Sequence, residues 1–187
     1  MKTKCSSRMK ALLLVLAMVL SMFCVSIGTA HPRFTDVPDS FWASKEIAWA
    51  VDKGVVNGTS ATTFSPNDKT LRGQMTAILY RYAGEPAVSG ASSFSDVKSS
   101  IYYANAASWA QKNNILISTV SGSNKFLGDT PISRAEFCAM VYNYAGYKSI
   151  DRKTASTAPF SDVKGLSSEL LTAINSVSYT HLTLPTT

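Results

Sequence analysis

The stretch Phe34-Thr35-Asp36-Val37 returns as Phe94-Ser95-Asp96-Val97 and again as Phe160-Ser161-Asp162-Val163. Self-similarity at a period of 60 to 66 residues indicates an array of like supersecondary units. The first two copies match well beyond the motif, whereas the third follows the pattern only to Ser176. The matched pairs are Trp42 with Tyr102, Trp49 with Trp109, Phe64 with Phe126, Arg72 with Arg134, Tyr80 with Tyr142 and Gly84 with Gly146.

Each full copy predicts two helices joined by a polar loop. The first helix is expected at residues 41–53, which contain neither Pro nor Gly, and Gly54 ends it because glycine readily takes a positive φ. A tight turn is expected at Gly58, where copy two has Ser118 and a longer loop. The second helices are expected at 72–83 and 134–145, ended by Gly84 and Gly146.

The second helix of copy two begins with a capping box, Ser133-Arg134-Ala135-Glu136. The Ser133 hydroxyl accepts from the amide three residues on, while the Glu136 side chain reaches back to the Ser133 amide. Copy one has Leu71-Arg72-Gly73-Gln74 there. Because Leu cannot cap and Gly costs roughly 1 kcal/mol relative to Ala in a helix, a looser start is expected in copy one, unless Thr70 caps one residue earlier.

The net charge is concentrated at the N-terminus. The 187 residues carry 18 Lys+Arg and 12 Asp+Glu, a formal charge of +6, but Lys2, Lys4, Arg8 and Lys10 all lie in the first ten residues. Beyond residue 30 the two signs are interspersed and nearly balanced. A chain without a basic stripe lacks the electrostatic footprint of phosphate binding, which argues against a nucleic-acid partner.

Residues 1–30 have the order of a secretory signal peptide: a basic start, an apolar run over residues 11–27 and small residues before a cleavage site at Ala30. Cleavage predicts an exported protein with no membrane span. The alternative is an uncleaved anchor, since the apolar run just reaches the lower limit for a span. A lipid anchor on Cys24 is disfavoured by the bulky Phe23 before it.

Residues suited to catalysis or metal binding are scarce. Cys138 alone remains after signal cleavage, so no internal disulfide can form, and a buried packing role is expected for it. His31 and His181 fall in no nucleophile or zinc motif, and the acids form no recognisable glycosidase pair. The sequence therefore predicts no catalytic residues, no metal and no cofactor.

Several short motifs together resemble the S-layer homology (SLH) repeat: Phe-x-Asp-Val, an aromatic six residues after the Asp, Gly-Val-Val-x-Gly at 54–58, Phe-x-Pro at 64–66 and Ser-Arg-Ala-Glu at 133–136. The resemblance implies an all-α fold of tandem helix-loop-helix repeats that form an incomplete pseudo-threefold bundle. The implied organisation is a signal peptide at 1–30, repeat one at 31–90, repeat two at 91–155, a truncated repeat three at 156–176 and a non-native tail at 177–187.

The resemblance also implies a function and a location. Proteins similar to this one are secreted to the cell wall or S-layer, where they bind secondary cell-wall polysaccharide, commonly with pyruvylated sugars, without covalent attachment. The alternatives are the N-terminal fragment of a wall-polysaccharide enzyme whose catalytic region is missing, and a purely structural layer protein. Because a half-repeat leaves apolar residues such as Val141 and Leu171 without partners, marginal stability or self-association is also expected.

In similar proteins the Arg of the Ser-Arg-Ala-Glu motif lies in the ligand groove. This implies Arg134 as the better ligand-binding candidate and Arg72 as the weaker one, since an Arg fork engages a pyruvyl carboxylate through two hydrogen bonds. The alternative for each is a solvated charge or one paired with an acid such as Asp129.

Trp42 and Tyr102 are candidates for stacking on sugar or for packing, and Trp49 and Trp109 are expected in the core. Asp36, Asp96 and Asp162 stand just ahead of the first helices, where an acid accepts helix amides and favours the helix dipole, so structural roles are expected for them over a metal role. Structural roles are also expected for Gly54, Gly58, Ser133 and Glu136.

Overall fold

The computed structural model describes residues 34–90, 92–153 and 160–183, with side chains as far as residue 178. The described residues are all-α, as the sequence predicts, and none of their helices is long and apolar enough to cross a membrane. The predicted signal peptide and its anchor alternative lie outside them. The helices are α1 Ser44–Asp52, α2 Arg72–Tyr82, α3 Ala104–Lys112, α4 Ser118–Ser121, α5 Arg134–Tyr147 and α6 Ser168–Thr183, with a 3₁₀ turn at Ser161–Val163.

In each full repeat the Phe-x-Asp-Val motif folds onto the repeat's own loop. Phe34 packs on Phe64 with ring centroids 5.4 Å apart, and Phe94 packs on Phe126 at the same distance. The residue after each leading Phe donates its amide to a loop carbonyl at 2.8 Å in both repeats. The motif and its loop therefore have the same geometry in the two repeats.

The motif aspartates bind this loop. Asp36 accepts from the amides of Phe64 and Ser65 at 2.9 and 2.6 Å, and Asp96 accepts from the two equivalent amides, both at 2.8 Å. These donors lie 28 to 31 residues downstream, not at the first helix, where the sequence suggested them. Ser65 and its equivalent Leu127 have φ of 59° and 54°, so each carboxylate stabilises a conformation that L-residues rarely adopt.

The third motif lacks such a loop within the described residues. Phe160 is 41% exposed, whereas Phe34 and Phe94 are 8% and 3% exposed. Asp162 lies in the 3₁₀ turn, ahead of α6. The sequence 178–187, which is rich in Thr and unrelated to the repeat, is expected to be extended, but α6 continues to Thr183, because no helix-breaking residue occurs before Pro185.

The first helices end as predicted. Gly54 and Asn114 follow α1 and α3 with φ of 67° and 55°. The expectation that Gly146 ends the second helix of repeat two is wrong, because α5 continues through it to Tyr147. Ser149 takes the left-handed conformation instead, with φ of 57°, and its amide donates to the Gly146 carbonyl at 3.0 Å.

Consecutive repeats pack through the second helix of one and the first helix of the next: α2 contacts α3, and α5 contacts α6. Trp109 of α3 is 3% exposed and packs on Tyr80 of α2, with ring centroids 5.5 Å apart. The same core position was expected for Trp49, and this is wrong: Trp49 is 53% exposed. Val141 of α5 and Leu171 of α6 are half-buried, and Val141 packs against the core.

The start of α2 is held by repeat two. The amides of Arg72 and Gly73 donate to the carbonyls of Thr130 and Gly128 at 2.9 and 2.8 Å, which satisfies two of the free donors of a helix N-terminus. The ring of Tyr103 lies directly against Gly73, where an added Cβ would overlap it. The glycine that lowers helix propensity is therefore required by tertiary packing.

Gly73→Ala is expected to destabilise the protein by about 1–3 kcal/mol, because the methyl group would overlap the Tyr103 ring. Helix propensity alone predicts the opposite sign, a gain of roughly 1 kcal/mol. Urea denaturation measures the difference. Ala135→Gly, at the equivalent position of repeat two, is the control and should lose only about 1 kcal/mol. A more stable Gly73→Ala protein would contradict the packing role.

Stability is also expected to fall in acid. The amide hydrogen bond from Phe64 lowers the pKa of Asp36 below its ordinary value of 3.8. Burial acts to raise the pKa of Asp96, but amide hydrogen bonds from Phe126 and Leu127 outweigh it and the pKa is lowered. A carboxyl with a depressed folded pKa stabilises the fold above its unfolded pKa, and this contribution is lost as the pH falls through the folded pKa.

Asp96→Asn should therefore be less stable than the parent near pH 7, and the difference should shrink as the pH falls below about 4. Urea denaturation over a pH series measures this. Asp151→Asn, at an exposed position, is the matched control and should leave both the stability and its pH dependence unchanged. A constant difference between the Asp96→Asn variant and the parent at all pH values would contradict the assignment.

Candidate functional site

Arg72 is buried between the two repeats. Its guanidinium donates from Nε and Nη2 to the two carboxylate oxygens of Glu136, at 2.5 and 3.3 Å. Nη1 donates to the carbonyls of Phe126 and Leu127 at 2.8 and 3.0 Å. Arg72 and Glu136 are each only 7% exposed. The Arg72 guanidinium is therefore paired with an acid inside the protein, and that acid is Glu136, not the suggested Asp129.

Because Glu136 pairs with Arg72, the capping box predicted at the start of α5 is only half formed. The Ser133 hydroxyl accepts from the Glu136 amide at 3.1 Å, as expected, but the Glu136 carboxylate binds Arg72. Repeat one forms the other half of the box, because the Leu71 amide donates to the Gln74 side chain at 2.9 Å. Each second helix is thus capped by one side chain.

Arg134, the equivalent of Arg72, is exposed. It lies at the edge of a shallow cavity of about 560 Å³ beside the starts of α2 and α5. Lys69 is a second cation of this cavity, and Phe137, 43% exposed, supplies an apolar wall. Two cations beside an exposed aromatic ring form a surface suited to an acidic, partly apolar ligand.

A larger cavity of about 780 Å³ lies between the repeats. Tyr102 enters it from repeat two, whereas Arg81, Lys69 and the Gly58 turn come from repeat one. Tyr102 is 60% exposed; burial and the charge of Asp129 raise its pKa, and the charge of Arg81 opposes this. The two cavities share Lys69 and Thr70 and are therefore adjacent.

The structure brings together only part of the predicted set. Tyr102 and Gly58 line the larger cavity and Arg134 the smaller one, whereas Trp42 lines neither and is 86% exposed beside Phe41. Gly58 has φ of 77°, and an added Cβ would overlap the Phe34 ring. The sequence missed Arg81 because repeat two has Asn143 at that position, so the repeat comparison does not mark it.

Cys138 is half-buried on α5, and burial raises the pKa of its thiol although the charge of Arg134 opposes this. A raised pKa disfavours the reactive thiolate form at neutral pH. Among residues 34–90, 92–153 and 160–178, no group of His, Cys, Asp and Glu side chains is placed to hold a metal ion.

Arg72→Ala is expected to cost about 3–5 kcal/mol, since it leaves the Glu136 carboxylate buried without its partner. Arg134→Ala is the matched control, because it removes the same side chain from the equivalent but exposed position and should change stability by less than about 0.5 kcal/mol. Urea denaturation compares the two variants. Equal losses would contradict the different roles of the two arginines.

Comparison with known proteins agrees with the repeat structure. The S-layer homology domain model matches residues 33–76 and 93–138. The chain is 32% identical over 148 residues to an endoglucanase of Bacillus sp. (strain KSM-635), which covers 75% of this chain and 15% of that enzyme. It is 30% identical over 135 residues to an amylopullulanase of Thermoanaerobacterium thermosulfurigenes, covering 72% and 7%.

The S-layer protein EA1 of Bacillus anthracis is 28% identical over 116 residues, covering 62% of this chain and 13% of that protein. The chain therefore spans only 7% to 15% of the length of these three relatives. Residues 33–76 and 93–138 are S-layer homology domains, and the chain is an S-layer homology domain protein.

Proposed function

We propose that this protein anchors an exported polypeptide to the bacterial cell wall by binding an acidic secondary cell-wall polysaccharide in the two adjacent cavities. The S-layer homology domains and the S-layer relatives indicate a secreted, cell-surface protein. These domains are wall-binding modules and not catalytic ones.

The exposure of Arg134 carries the proposal. Arg72 already donates to three partners inside the protein, whereas Arg134 is exposed at the cavity edge. A guanidinium donates two parallel hydrogen bonds to a carboxylate such as that of a pyruvyl ketal. Lys69, which borders both cavities, extends the positive surface toward Arg81.

Tyr102 complements these cations in the larger cavity. Its exposed ring packs edge-on against Tyr103, with centroids 5.0 Å apart, which fixes its orientation without occupying its outer face. An aromatic plane suits the apolar face of a sugar ring. Acidic groups of the polymer would then bind Arg81, Lys69 and Arg134, while neutral sugar faces contact Tyr102.

A second role is favoured by the comparisons. The endoglucanase and the amylopullulanase are enzymes by name, and the chain spans 15% and 7% of them. We propose that in such a longer protein these repeats hold a polysaccharide-acting region at the wall. Binding of one polymer by more than one cavity would raise the avidity by roughly 10²–10⁴ without new contacts.

Co-sedimentation with purified cell-wall sacculi tests the proposal. The protein is expected to pellet with intact sacculi and to stay in solution when secondary polymers have been removed by acid extraction. Arg134→Ala, Arg81→Ala and Tyr102→Ala should each weaken binding by roughly 10- to 100-fold, the loss of one charge-assisted or stacking contact.

Lys53→Ala is the control, because it removes an exposed positive charge that lies in neither cavity. It should bind like the parent. Circular dichroism would establish that each variant is folded. Binding that survives acid extraction, or that weakens equally with Lys53→Ala, would mean nonspecific adhesion to an anionic wall and would exclude the proposed site.

A further inference from the structure

Asn57-Gly58 is the only Asn-Gly dipeptide of the chain, and both residues line the larger cavity. In this dipeptide the backbone nitrogen of the glycine can attack the side-chain amide of the asparagine and close a cyclic imide. Glycine permits the attack because it has no Cβ to shield its nitrogen. The reaction requires water but no enzyme, metal or oxidant, so the dipeptide alone supplies the chemistry.

The groups that would react are free in the structure. Asn57 is exposed to water, and within residues 34–90, 92–153 and 160–178 neither its side chain nor the Gly58 amide has a hydrogen-bond partner. The backbone that follows is held in place, since the Thr59 and Ser60 amides donate to the Thr63 carbonyl at 2.9 and 3.1 Å. The turn is therefore ordered around a nitrogen and a side-chain amide that make no hydrogen bond.

The other asparagines lack these properties. None of them precedes a glycine, so a side chain shields each following nitrogen. These nitrogens are also engaged or lie within helices: Asp68, Asn114, Ile115 and Lys125 donate hydrogen bonds, and Ala106, Tyr144 and Ser176 are helical. Repeat two has Ser118 in place of Gly58, and its amide donates to the Glu169 carboxylate at 3.1 Å. The reactive dipeptide thus occurs in repeat one alone.

We propose that Asn57 is a site of spontaneous deamidation, which adds a carboxylate to the larger cavity and weakens polysaccharide binding as the protein ages. The effect on binding rests on the proposed function, whereas the modification itself does not. The charged side chains of this cavity are Lys69 and Arg81 against Asp68. One more carboxylate would balance the two cations and cancel the positive excess that attracts an acidic polymer.

The reaction balances without any redox partner. The Gly58 nitrogen loses its proton and forms a bond to Cγ of Asn57, the bond from Cγ to Nδ2 breaks, and Nδ2 leaves with that proton as ammonia. Water then opens the cyclic imide. Addition of water at Cγ restores the ordinary backbone and leaves aspartate. Addition at the backbone carbonyl of residue 57 leaves isoaspartate, in which the chain runs through Cβ and Cγ.

The two products differ in their effect on the turn. Aspartate changes only the charge, whereas isoaspartate lengthens the backbone just before Gly58. At Gly58 an added Cβ would lie 2.6 Å from the Phe34 ring and from the Thr63 carbonyl oxygen, so a longer chain has no room without moving the turn away from Phe34. We therefore expect isoaspartate to weaken binding more than aspartate does.

Peptide mapping by mass spectrometry tests the modification. The full chain is incubated in mildly alkaline buffer, which speeds the loss of the Gly58 proton, and samples are digested at intervals. We expect Asn57 to convert to aspartate and isoaspartate before any other asparagine converts, and isoaspartyl methyltransferase to label the aged protein. Asn57→Gln is the control and should remain unlabelled, because its longer side chain would have to close a larger ring, which forms more slowly.

A synthetic peptide of residues 52–63 measures what the fold contributes. Free in solution, it converts at the rate that the dipeptide alone dictates. Because the turn leaves the reacting groups without other partners, Asn57 of the folded protein should convert at a comparable rate. An Asn57 that stays intact in the folded protein while the peptide converts would mean that the turn prevents the attack, and would overturn the proposal.

Co-sedimentation with sacculi tests the consequence for binding. Asn57→Asp, the product with an unaltered backbone, should bind roughly two- to fivefold more weakly than the parent, as expected for one partly exposed charge. The difference should shrink at high salt, which screens exposed charges. Fully converted parent should bind at least as weakly as Asn57→Asp, whereas Asn57→Gln protein aged in the same way should bind like the fresh protein.

Two outcomes separate this proposal from the anchoring function. Converted parent that binds sacculi as tightly as fresh parent would overturn the proposed consequence, because the new carboxylate would then not face the polymer. Fresh parent that fails to bind sacculi would contradict the anchoring function and with it the effect on binding, whereas the modification at Asn57 stands or falls on the mass measurement.

Discussion

The described fold depends on the buried ion pair between Arg72 and Glu136. Arg72 is the first residue of α2, and Glu136 lies in the first turn of α5, so one contact joins the second helices of both repeats. Burying two charges is favourable only when their geometry is good and their remaining donors are satisfied. The carbonyls of Phe126 and Leu127 meet that condition for Arg72.

The loop that supplies these carbonyls is itself held by Asp96, whose carboxylate accepts the amides of the same two residues. The Phe-x-Asp-Val motif therefore acts on the interface through the loop: the Asp fixes the loop, the loop presents two carbonyls, and the carbonyls complete the Arg72 site. This chain of contacts gives a physical reason for the Phe-x-Asp-Val motif and the loop of repeat two to occur together with the Arg of repeat one. Losing any one of them leaves the others without their partners.

The two repeats also show how one sequence motif takes two roles. Arg72 is engaged inside an interface and Arg134 is exposed beside a cavity, although each begins the second helix of its repeat. Trp109 and Trp49 differ in the same way. In both pairs the difference arises from the neighbouring repeat. The larger cavity between the repeats likewise uses side chains from both.

The sequence by itself determined the repeats, the all-α class, the helix ends at Gly54 and Asn114 and the wall-binding family, because these follow from local motifs, periodicity and backbone preferences. It also marked Arg134 and Tyr102, which line the cavities. Only the tertiary structure decided that the aspartates bind a distant loop. It also decided that Arg72 and Trp109 are buried whereas Arg134 and Trp49 are exposed. Gly73 is required because the ring of Tyr103 packs against it. Those outcomes depend on contacts between residues far apart in the chain, and equivalent residues differ only in which neighbour packs against them. Arg81 escaped the sequence analysis for the same reason, since its role comes from Tyr102 of the next repeat and not from a repeated motif.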